Sequence, residues 1–303
     1  MTPPTPPTPP TPPTDDLRVS LVQADTRWHD AAGNRALYGD LVRALAAQRA
    51  HQSGQKPGQT DLIVLPETFT TGFTNQTAGN AEDMTGESLR WFSALAAEVG
   101  CVLMGSLILR DPEASRGPSG NDRCYNRLVW MRPDGSYALY DKRHLFRMAN
   151  EHQHFGDGKA RLLVDLAGWR ICPMVCYDLR FPVWSRNRFG PQGQGEAAGR
   201  FDYDLLVFVA NWPAPRRHAW RTLLRARAIE NLSYCIGVNR VGKDGNGLEY
   251  AGDSVALDFV GEPLVECGSQ PQVVTTTLSA AALARHRERF PAYLDADDFT
   301  LRV

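Results

Sequence analysis

The sequence predicts an α/β fold with a mixed β-sheet, in one large domain. Short apolar runs that are typical of strands alternate with segments whose apolar residues recur at helical spacing. The turn signal Arg132-Pro-Asp-Gly135 separates two strand-like runs, which indicates an antiparallel pair in the middle of the chain. No shift in composition divides the 303 residues, and a chain of this length can bury a sizeable core.

The first part of the chain alternates strands and helices. A strand begins at Leu17, where apolar and polar residues alternate. The elements that follow are a helix around 37–45, a polar loop at 52–59, an apolar strand at 62–65, a helix at 88–99 and a strand at 102–109. Gly100 lies between the last two, where a glycine commonly ends a helix. The β-α order therefore repeats.

The rest of the chain contributes strands and two more helices. The hairpin strands and the later strands cover 125–131, 137–142, 169–176, 204–209 and 234–238. A helix over 218–231 precedes the last of these, and a closing β pair lies near 254–278. A short helix over 281–289 leads into an irregular tail. We expect the folded domain to cover residues 17–278.

The N-terminal segment differs from the rest in composition. Residues 2–13 are four copies of Thr-Pro-Pro, which have no apolar face to bury and in which proline fixes φ at two positions of every three. We expect a disordered, extended tail over 1–16 that lies outside the fold. The alternative is a docking segment, because P-x-x-P is also the pattern of SH3 ligands.

Charge and composition exclude several classes of protein. The 33 basic and 34 acidic residues give a net charge of −1, so no basic stripe is present to bind nucleic acid. No apolar run reaches the roughly 18 residues of a membrane span, and the N-terminus does not resemble a signal peptide. Six cysteines spread over the chain are not a disulfide framework. We expect a cytoplasmic protein with free thiols.

Two potentially reactive charged residues follow directly on strand-like runs. A carboxylate as close to an apolar strand as Glu67 is partly desolvated, which raises its pKa and suits it to accept and return a proton. The alternative is a surface carboxylate that caps the following turn. Lys142 can offer a fixed positive charge to an oxyanion, and the alternative is a solvated surface charge.

Cys176 is the third candidate. The chain turns abruptly polar after the apolar strand that precedes it, so the thiol is expected on a turn with the Tyr177 N–H beside it. This arrangement suits a nucleophile with half of an oxyanion hole. The alternative is a buried structural cysteine, which is the role expected for Cys101, Cys124, Cys172, Cys235 and Cys267.

The order Glu, Lys, Cys and the surrounding motifs resemble the nitrilase, or carbon-nitrogen hydrolase, superfamily. The motifs are LPETFTTGF (65–73), DKRHLF (141–146), CYDLRFPVW (176–184), VANWP (209–213) and RARAIEN (225–231). The segments EHQHF, GVNRVG and FPAYLDADDF look most like bacterial omega-amidases, which act on 2-oxoglutaramate and related keto-acid amides. The resemblance covers about residues 17–300.

The resemblance implies a four-layer αββα sandwich of two mixed sheets with helices outside, commonly paired into a homodimer. The C-terminal segment 279–303 is then a candidate to pack on the dimer partner. The triad of the family maps onto Glu67, Lys142 and Cys176, and its second glutamate maps onto Glu151. No metal or other cofactor is implied, and the substrate is a small amide.

The same residues suggest a mechanism. We expect the Lys142 ammonium to lower the pKa of the thiol, while Glu67 takes its proton as Cys176 attacks the amide carbon. The oxyanion would lie between Lys142 and the Tyr177 N–H. A thioester then remains on Cys176, and Glu67 activates the water that hydrolyses it. Glu151 would orient Lys142 or the substrate amide.

The sequence says less about the substrate. Trp212 and Phe73 are expected in the wall of the pocket, and the alternative for Trp212 is packing in the core. A carboxylate-bearing substrate needs a cation, for which Arg147, Arg216 and Arg217 are the candidates, whereas Arg180 is interpreted as structural.

Other functions stay open at this point. Within the superfamily these are nitrile hydrolysis, N-carbamoyl hydrolysis and ammonia transfer. From other classes, a metallohydrolase would use His144, His152, His154 and Cys176 as ligands, although no H-E-x-x-H or paired Cys-x-x-Cys occurs. A scaffold protein would use the Thr-Pro-Pro tail for docking.

Overall fold

The computed structural model describes residues 13–52, 62–111, 123–190, 199–297 and 299–302. The helices are α1 (Ala31–Gln52), α2 (Glu87–Val99), α3 (Pro182–Ser185), α4 (Arg217–Asn231) and α5 (Ala280–Arg289). The strands of the first half are β1 (Leu17–Gln23), β2 (Leu62–Val64), β3 (Val102–Asp111), β4 (Arg123–Met131), β5 (Tyr137–Asp141), β6 (Val164–Leu166) and β7 (Trp169–Val175). The others are β8 (Leu205–Ala210), β9 (Tyr234–Asn239), β10 (Val241–Lys243), β11 (Glu249–Ala251), β12 (Val255–Leu257), β13 (Pro263–Glu266) and β14 (Gln272–Leu278). Most of the predicted tail and loop, 1–12 and 53–59, lie outside these ranges.

Two six-stranded mixed sheets form the centre of the molecule. The first has the order β14-β1-β2-β3-β4-β5, and the second has the order β13-β12-β9-β8-β7-β6. Each contains three neighbouring parallel strands, β1-β2-β3 and β9-β8-β7, flanked by antiparallel ones. A separate two-stranded sheet joins β10 to β11. The carboxyl ends of the parallel strands therefore provide two comparable edges.

The sheets pack face to face, and helices cover their outer faces. Alternate residues of β1, such as Leu17 and Val19, lie in the core between the sheets, whereas Val22 faces α1 and α2. Helix α4 packs on β9 and β12 of the second sheet. Burying one such aliphatic side chain contributes about 1.5–3 kcal/mol. The predicted αββα sandwich is confirmed.

The end of the chain differs from the expected closing β pair. Three strands lie in that region: β12 and β13 pair with each other, but β14 crosses to the first sheet and pairs antiparallel with β1. The hydrophobic pattern shows that a segment is a strand but not which sheet edge accepts it. Helix α5 packs on its own chain, where the Arg287 guanidinium bonds the carboxylate of Asp204 at 2.5 Å.

The last residues of the predicted tail contact the fold. The Trp169 indole N–H donates to the carbonyl of Asp15, and the Asp16 carboxylate accepts the backbone N–H of Ala280 at 2.9 Å. Within the described ranges, no helix is both long and apolar enough to cross a membrane.

Candidate active site

The three predicted reactive residues meet between the two sheets. Glu67 follows β2 of the first sheet, Lys142 follows its edge strand β5, and Cys176 follows β7 of the second sheet. Lys142 Nζ lies 2.9 Å from Glu67 Oε1, and the Cys176 thiol lies close enough to both residues for their charges to act on it. Strand ends of separate sheets thus place a carboxylate, an ammonium and a thiol side by side.

Four groups hold the fully buried Glu67 carboxylate. Oε1 accepts Lys142 Nζ at 2.9 Å and Asn126 Nδ2 at 2.7 Å. Oε2 accepts the backbone N–H of Asn211 at 2.7 Å and, more weakly, the Asn211 side-chain amide at 3.5 Å. The Asn211 side chain also donates to the Glu67 carbonyl at 2.8 Å. This carboxylate therefore has a single defined orientation toward the thiol.

Lys142 lies between two carboxylates. Its Nζ is 2.9 Å from Glu67 Oε1 and 2.9 Å from both oxygens of Glu151, and the side chain is 1% exposed. Burial alone lowers the pKa of an amine, but the two neighbouring carboxylates outweigh it and raise the pKa of Lys142 above its ordinary value. Lys142 is consequently a permanent cation and not a base.

Glu151 fixes the other side of the lysine. Its Oε2 accepts the backbone N–H of Phe146 at 2.6 Å, which ties the turn after β5 to the site. Burial raises the pKa of Glu151, Lys142 opposes this shift, and the charge of Glu67 adds to it. The cluster thus holds two acidic groups around one cation.

Cys176 occupies a strained turn. Its φ is +45°, a left-handed value that is uncommon outside glycine, and a short 3-10 turn (Cys176–Arg180) begins there. Asp178, fully buried, anchors the turn by accepting the Val175 N–H at 3.1 Å and the Tyr140 hydroxyl at 2.7 Å. The thiol contacts the Asn211 carbonyl at 3.9 Å. Cys176 is half-buried, whereas the other five cysteines, all in the described part of the chain, are buried.

Lys142 lowers the pKa of this thiol, as expected, but other effects outweigh it. Burial and the negative charge of Glu67 raise the pKa of Cys176 well above its ordinary value, and the opposing effect of Lys142 is smaller. Cys176 is therefore a neutral thiol close to the Glu67 carboxylate.

The Tyr177 N–H is the second expected oxyanion donor. It belongs to the first turn of the helix that begins at Cys176, where N–H groups have no acceptor within the helix. Tyr177 lines the same cavity as Cys176 and Lys142. Tyr177 and Lys142 therefore both border the cavity that opens onto the thiol.

A cavity of about 500 Å³, counted with the solvent at its mouth, opens onto the thiol. Its aromatic walls are Phe73, Phe146, Tyr177, Trp212 and Tyr250. The structure thus places both predicted wall residues, Phe73 and Trp212, at the cavity.

The cations at the cavity differ from those expected. Arg147 lies in a neighbouring groove, and Arg217 is paired with Asp253 at 2.7 Å. Arg216, one of the three expected cations, lines the cavity, and so does Arg180, for which the sequence suggests a structural role. The 3-10 turn after Cys176 aims the Arg180 side chain at the cavity, which the linear sequence does not show.

The histidines of the metallohydrolase alternative do not converge. His144 Nδ1 bonds Asp178 at 2.8 Å and its ring stacks on Phe181. His152 lies in the neighbouring groove, and His154 is exposed. Among the residues that the structure describes, no group of three His, Cys, Asp or Glu side chains is placed to hold a metal ion.

Comparison with known proteins now assigns the family. Residues 18–288 match the carbon-nitrogen hydrolase family. The chain belongs to this family. The omega-amidase YafV of Yersinia enterocolitica is 43% identical over 286 residues, which are 94% of this chain and 98% of that protein. The 2-oxoglutaramate amidase of Bacillus subtilis is 30% identical over 238 residues, which are 78% of this chain and 84% of that protein.

A solved structure agrees with this assignment. XC1258 from Xanthomonas campestris, a CN-hydrolase superfamily protein whose crystal structure has an arsenic adduct in the active site, is 54% identical. The superposition has a TM-score of 0.85, and the match covers 95% of this chain and 100% of the XC1258 chain. The predicted family and the predicted hydrolysis of amides are confirmed.

Two asparagines of this carbon-nitrogen hydrolase were not singled out from the sequence. Asn126 donates to Glu67, and weakly to Glu151 at 3.4 Å, and Asn211 holds the other Glu67 oxygen. A signal for Asn126 exists, because it shares the inward face of apolar strand β4 with Leu128 and Trp130. A polar residue at such a position needs a buried partner.

Proposed function

We propose that this protein is an omega-amidase, which hydrolyses the terminal amide of 2-oxoglutaramate or a similar keto-acid amide to the acid and ammonia. One observation carries the proposal: the Cys176 thiol and the buried Lys142 ammonium border one cavity, Lys142 lies 2.9 Å from the Glu67 carboxylate, and the charges of both residues act on the thiol. The named activities of the relatives support the choice of substrate.

The first half of the reaction forms a thioester. As the Cys176 sulfur attacks the amide carbon, its proton passes to the neighbouring Glu67 carboxylate. The carbonyl oxygen becomes an oxyanion between the Lys142 ammonium and the Tyr177 N–H. When the tetrahedral intermediate breaks its C–N bond, Glu67 returns the proton to the nitrogen, and ammonia leaves.

The second half hydrolyses the thioester. Glu67 takes a proton from a water that attacks the acyl carbon, and the same two donors hold the new oxyanion. The C–S bond breaks, Glu67 returns the proton to the sulfur, and the acid departs. One carboxylate therefore serves as base and acid in both halves.

Glu151 acts on the lysine and not on the substrate. It contacts Lys142 through both oxygens and is itself held by the Phe146 N–H, so it fixes the position of the ammonium. Together with Glu67 it raises the pKa of Lys142, which keeps the charge in place through the catalytic cycle.

A screen for ammonia release tests the substrate. Purified protein is assayed with 2-oxoglutaramate, glutamine, asparagine, carbamoyl amino acids and simple nitriles, with Cys176→Ala as the blank. We expect the highest kcat/KM for 2-oxoglutaramate. A higher value for a nitrile or a carbamoyl amino acid contradicts the omega-amidase proposal while leaving the family unchanged.

We also propose a homodimer, as the family resemblance implies. The exposed apolar side chains of Val183 on α3 and Ile229 on α4 lie in the helical layer outside the second sheet, where a second copy would cover them. Light scattering after size-exclusion chromatography measures the mass, and a value of 33.6 kDa contradicts this proposal.

A further inference from the structure

Two arginine side chains form part of the cavity wall. The Arg180 guanidinium lies 5.0 Å from the centroid of the Trp212 ring, and the Arg216 guanidinium lies 5.3 Å from the centroid of the Phe146 ring. The Trp212 indole N–H donates to the Arg216 carbonyl at 2.8 Å. One tryptophan thus contacts both arginines, through its ring face and through its ring nitrogen.

Neither arginine is neutralised within the described part of the chain. No described carboxylate lies within 4.0 Å of Arg180 or Arg216, and no described acidic residue lines the cavity. Nearby arginines differ in this respect: Arg217 pairs with Asp253 at 2.7 Å, and Arg143 pairs with Asp157 at 2.9 Å. Two unpaired positive charges at one cavity favour an anion there.

The aromatic rings hold these cations without using their hydrogen-bond donors. A guanidinium over a ring face is attracted by the ring quadrupole and keeps its N–H groups free in the plane. Those groups are suited to a carboxylate, which accepts two parallel hydrogen bonds from one guanidinium. The wall therefore offers oriented guanidinium donors, for which no described side chain is an ion-pair partner, to a planar anion.

We propose that Arg180 and Arg216 together bind the carboxylate of the amide substrate and thereby select amides that carry a negative charge at the end remote from the reacting group. This inference rests on the proposed function, because it assigns the recognition of the substrate to the same cavity. The inference also predicts weaker binding of substrates that have an ammonium next to the carboxylate, such as glutamine, because the two arginines repel that ammonium.

Two amides that differ only in the carboxylate test the proposal. Glutaramate and pentanamide share a five-carbon chain with an amide at one end, and glutaramate alone has a carboxylate at the other. We expect the wild-type protein to prefer glutaramate. Arg180→Met and Arg216→Met should each lower kcat/KM for glutaramate about 10- to 100-fold, as expected for a lost charge-assisted hydrogen bond. Their kcat/KM for pentanamide should stay within about twofold of the wild-type value.

The matched control is Arg217→Met. Arg217 neighbours Arg216 but is paired with Asp253 and does not line the cavity, so this variant should keep the wild-type preference. Thermal unfolding of all variants checks that the wall has not simply lost its fold. A second measurement is independent of turnover: calorimetric binding of glutarate to Cys176→Ala should weaken when either arginine is also replaced.

Several results overturn the inference. An equal loss on both amides in the two arginine variants shows a general structural role, and no loss on either amide shows no role. If the wild-type protein hydrolyses pentanamide and glutaramate with the same kcat/KM, it does not select for the carboxylate. The protein is then still an amidase, but the inference is wrong. Failure to hydrolyse 2-oxoglutaramate, glutaramate and pentanamide contradicts the proposed function itself.

Discussion

The base and the wall of the cavity hold their positive charges in opposite ways. At the base, Lys142 is buried and lies 2.9 Å from the carboxylates of Glu67 and Glu151. On the wall, Arg180 and Arg216 lie over aromatic rings with no described carboxylate within 4.0 Å. A charge that must stay in one place through a reaction is fixed by opposite charges. A charge that must accept a ligand is oriented by a ring and keeps its donors available.

The largest effect is expected for Cys176, the proposed nucleophile, and it should exceed the effect of replacing any of the cations. Cys176→Ala should lower kcat by about 10⁴-fold or more on every substrate, because no thioester can form. Ammonia release measures this loss. The control is Cys172→Ala, which removes a buried thiol on the preceding strand and should keep turnover. If Cys172→Ala is the inactive variant, the nucleophile has been misassigned.

Glu67→Gln tests whether one carboxylate serves both halves of the reaction. Gln keeps the shape but cannot take a proton, so acylation and deacylation should fail together. Rapid mixing should show no burst of ammonia, and mass spectrometry should find little acyl adduct on Cys176. A burst of one equivalent followed by a stalled adduct would mean that another group, Glu151 being the nearest candidate, activates the thiol.

Lys142→Arg sharpens the contrast between the two kinds of cation. The planar guanidinium, which suits the wall, cannot occupy the point position between two carboxylates at the base. We expect kcat to fall by about 10²- to 10³-fold, the usual effect of losing an oxyanion donor, and Lys142→Met to be at least as poor. Steady-state kinetics measure this loss. Turnover near the wild-type level in Lys142→Arg would contradict the role of Lys142 as an oxyanion donor.

Asn126 supports the base of the cavity without touching the substrate. Asn126→Leu removes the 2.7 Å hydrogen bond to Glu67, a contact to a charged group that contributes about 1.5–3 kcal/mol. We expect kcat to fall about 10- to 100-fold with KM nearly unchanged. Asn126→Asp has the same size but adds a negative charge beside Glu67 and Glu151, so its kcat should be lower still. An increase in KM alone would place Asn126 in substrate binding instead.

The smallest effect concerns stability at alkaline pH. Because the pKa of Cys176 is raised in the folded state, the folded protein keeps the thiol proton at pH values where the unfolded chain has lost it. The unfolded state then binds fewer protons, so the free energy of unfolding falls as pH rises above about 9. Relative to Cys176→Ala, the wild-type protein should lose up to about 1.4 kcal/mol per pH unit there. Denaturant titrations between about pH 8 and about pH 10 measure both curves, and parallel curves would contradict the raised pKa.

Much of the fold follows from local patterns in the sequence. Strands such as β2 and β8 are buried on both faces, so their residues are uniformly apolar and easily recognised. The pairing of β14 with β1 could not be predicted, because it joins segments more than 200 residues apart through backbone groups that every residue has. Short strands such as β10 and β11 are also missed, since three residues carry too little periodicity.

In the candidate site, too, some features can be predicted from the sequence and others cannot. Glu67, Lys142 and Cys176 each follow a strand, so their positions can be anticipated from sequence order. The direction of an arginine side chain depends on the turn that carries it, so the sequence does not show that Arg180 borders the cavity and that Arg147 borders the neighbouring groove. The sign of the thiol pKa shift depends on the summed effect of burial and neighbouring charges, which no linear pattern contains.

The neutral state of the resting Cys176 thiol also bears on the chemical durability of the enzyme. Peroxides and electrophiles react with the thiolate and hardly at all with the protonated thiol. Since burial and the charge of Glu67 raise the pKa of the thiol, the sulfur keeps its proton in the resting site and presents less of the form that oxidants attack.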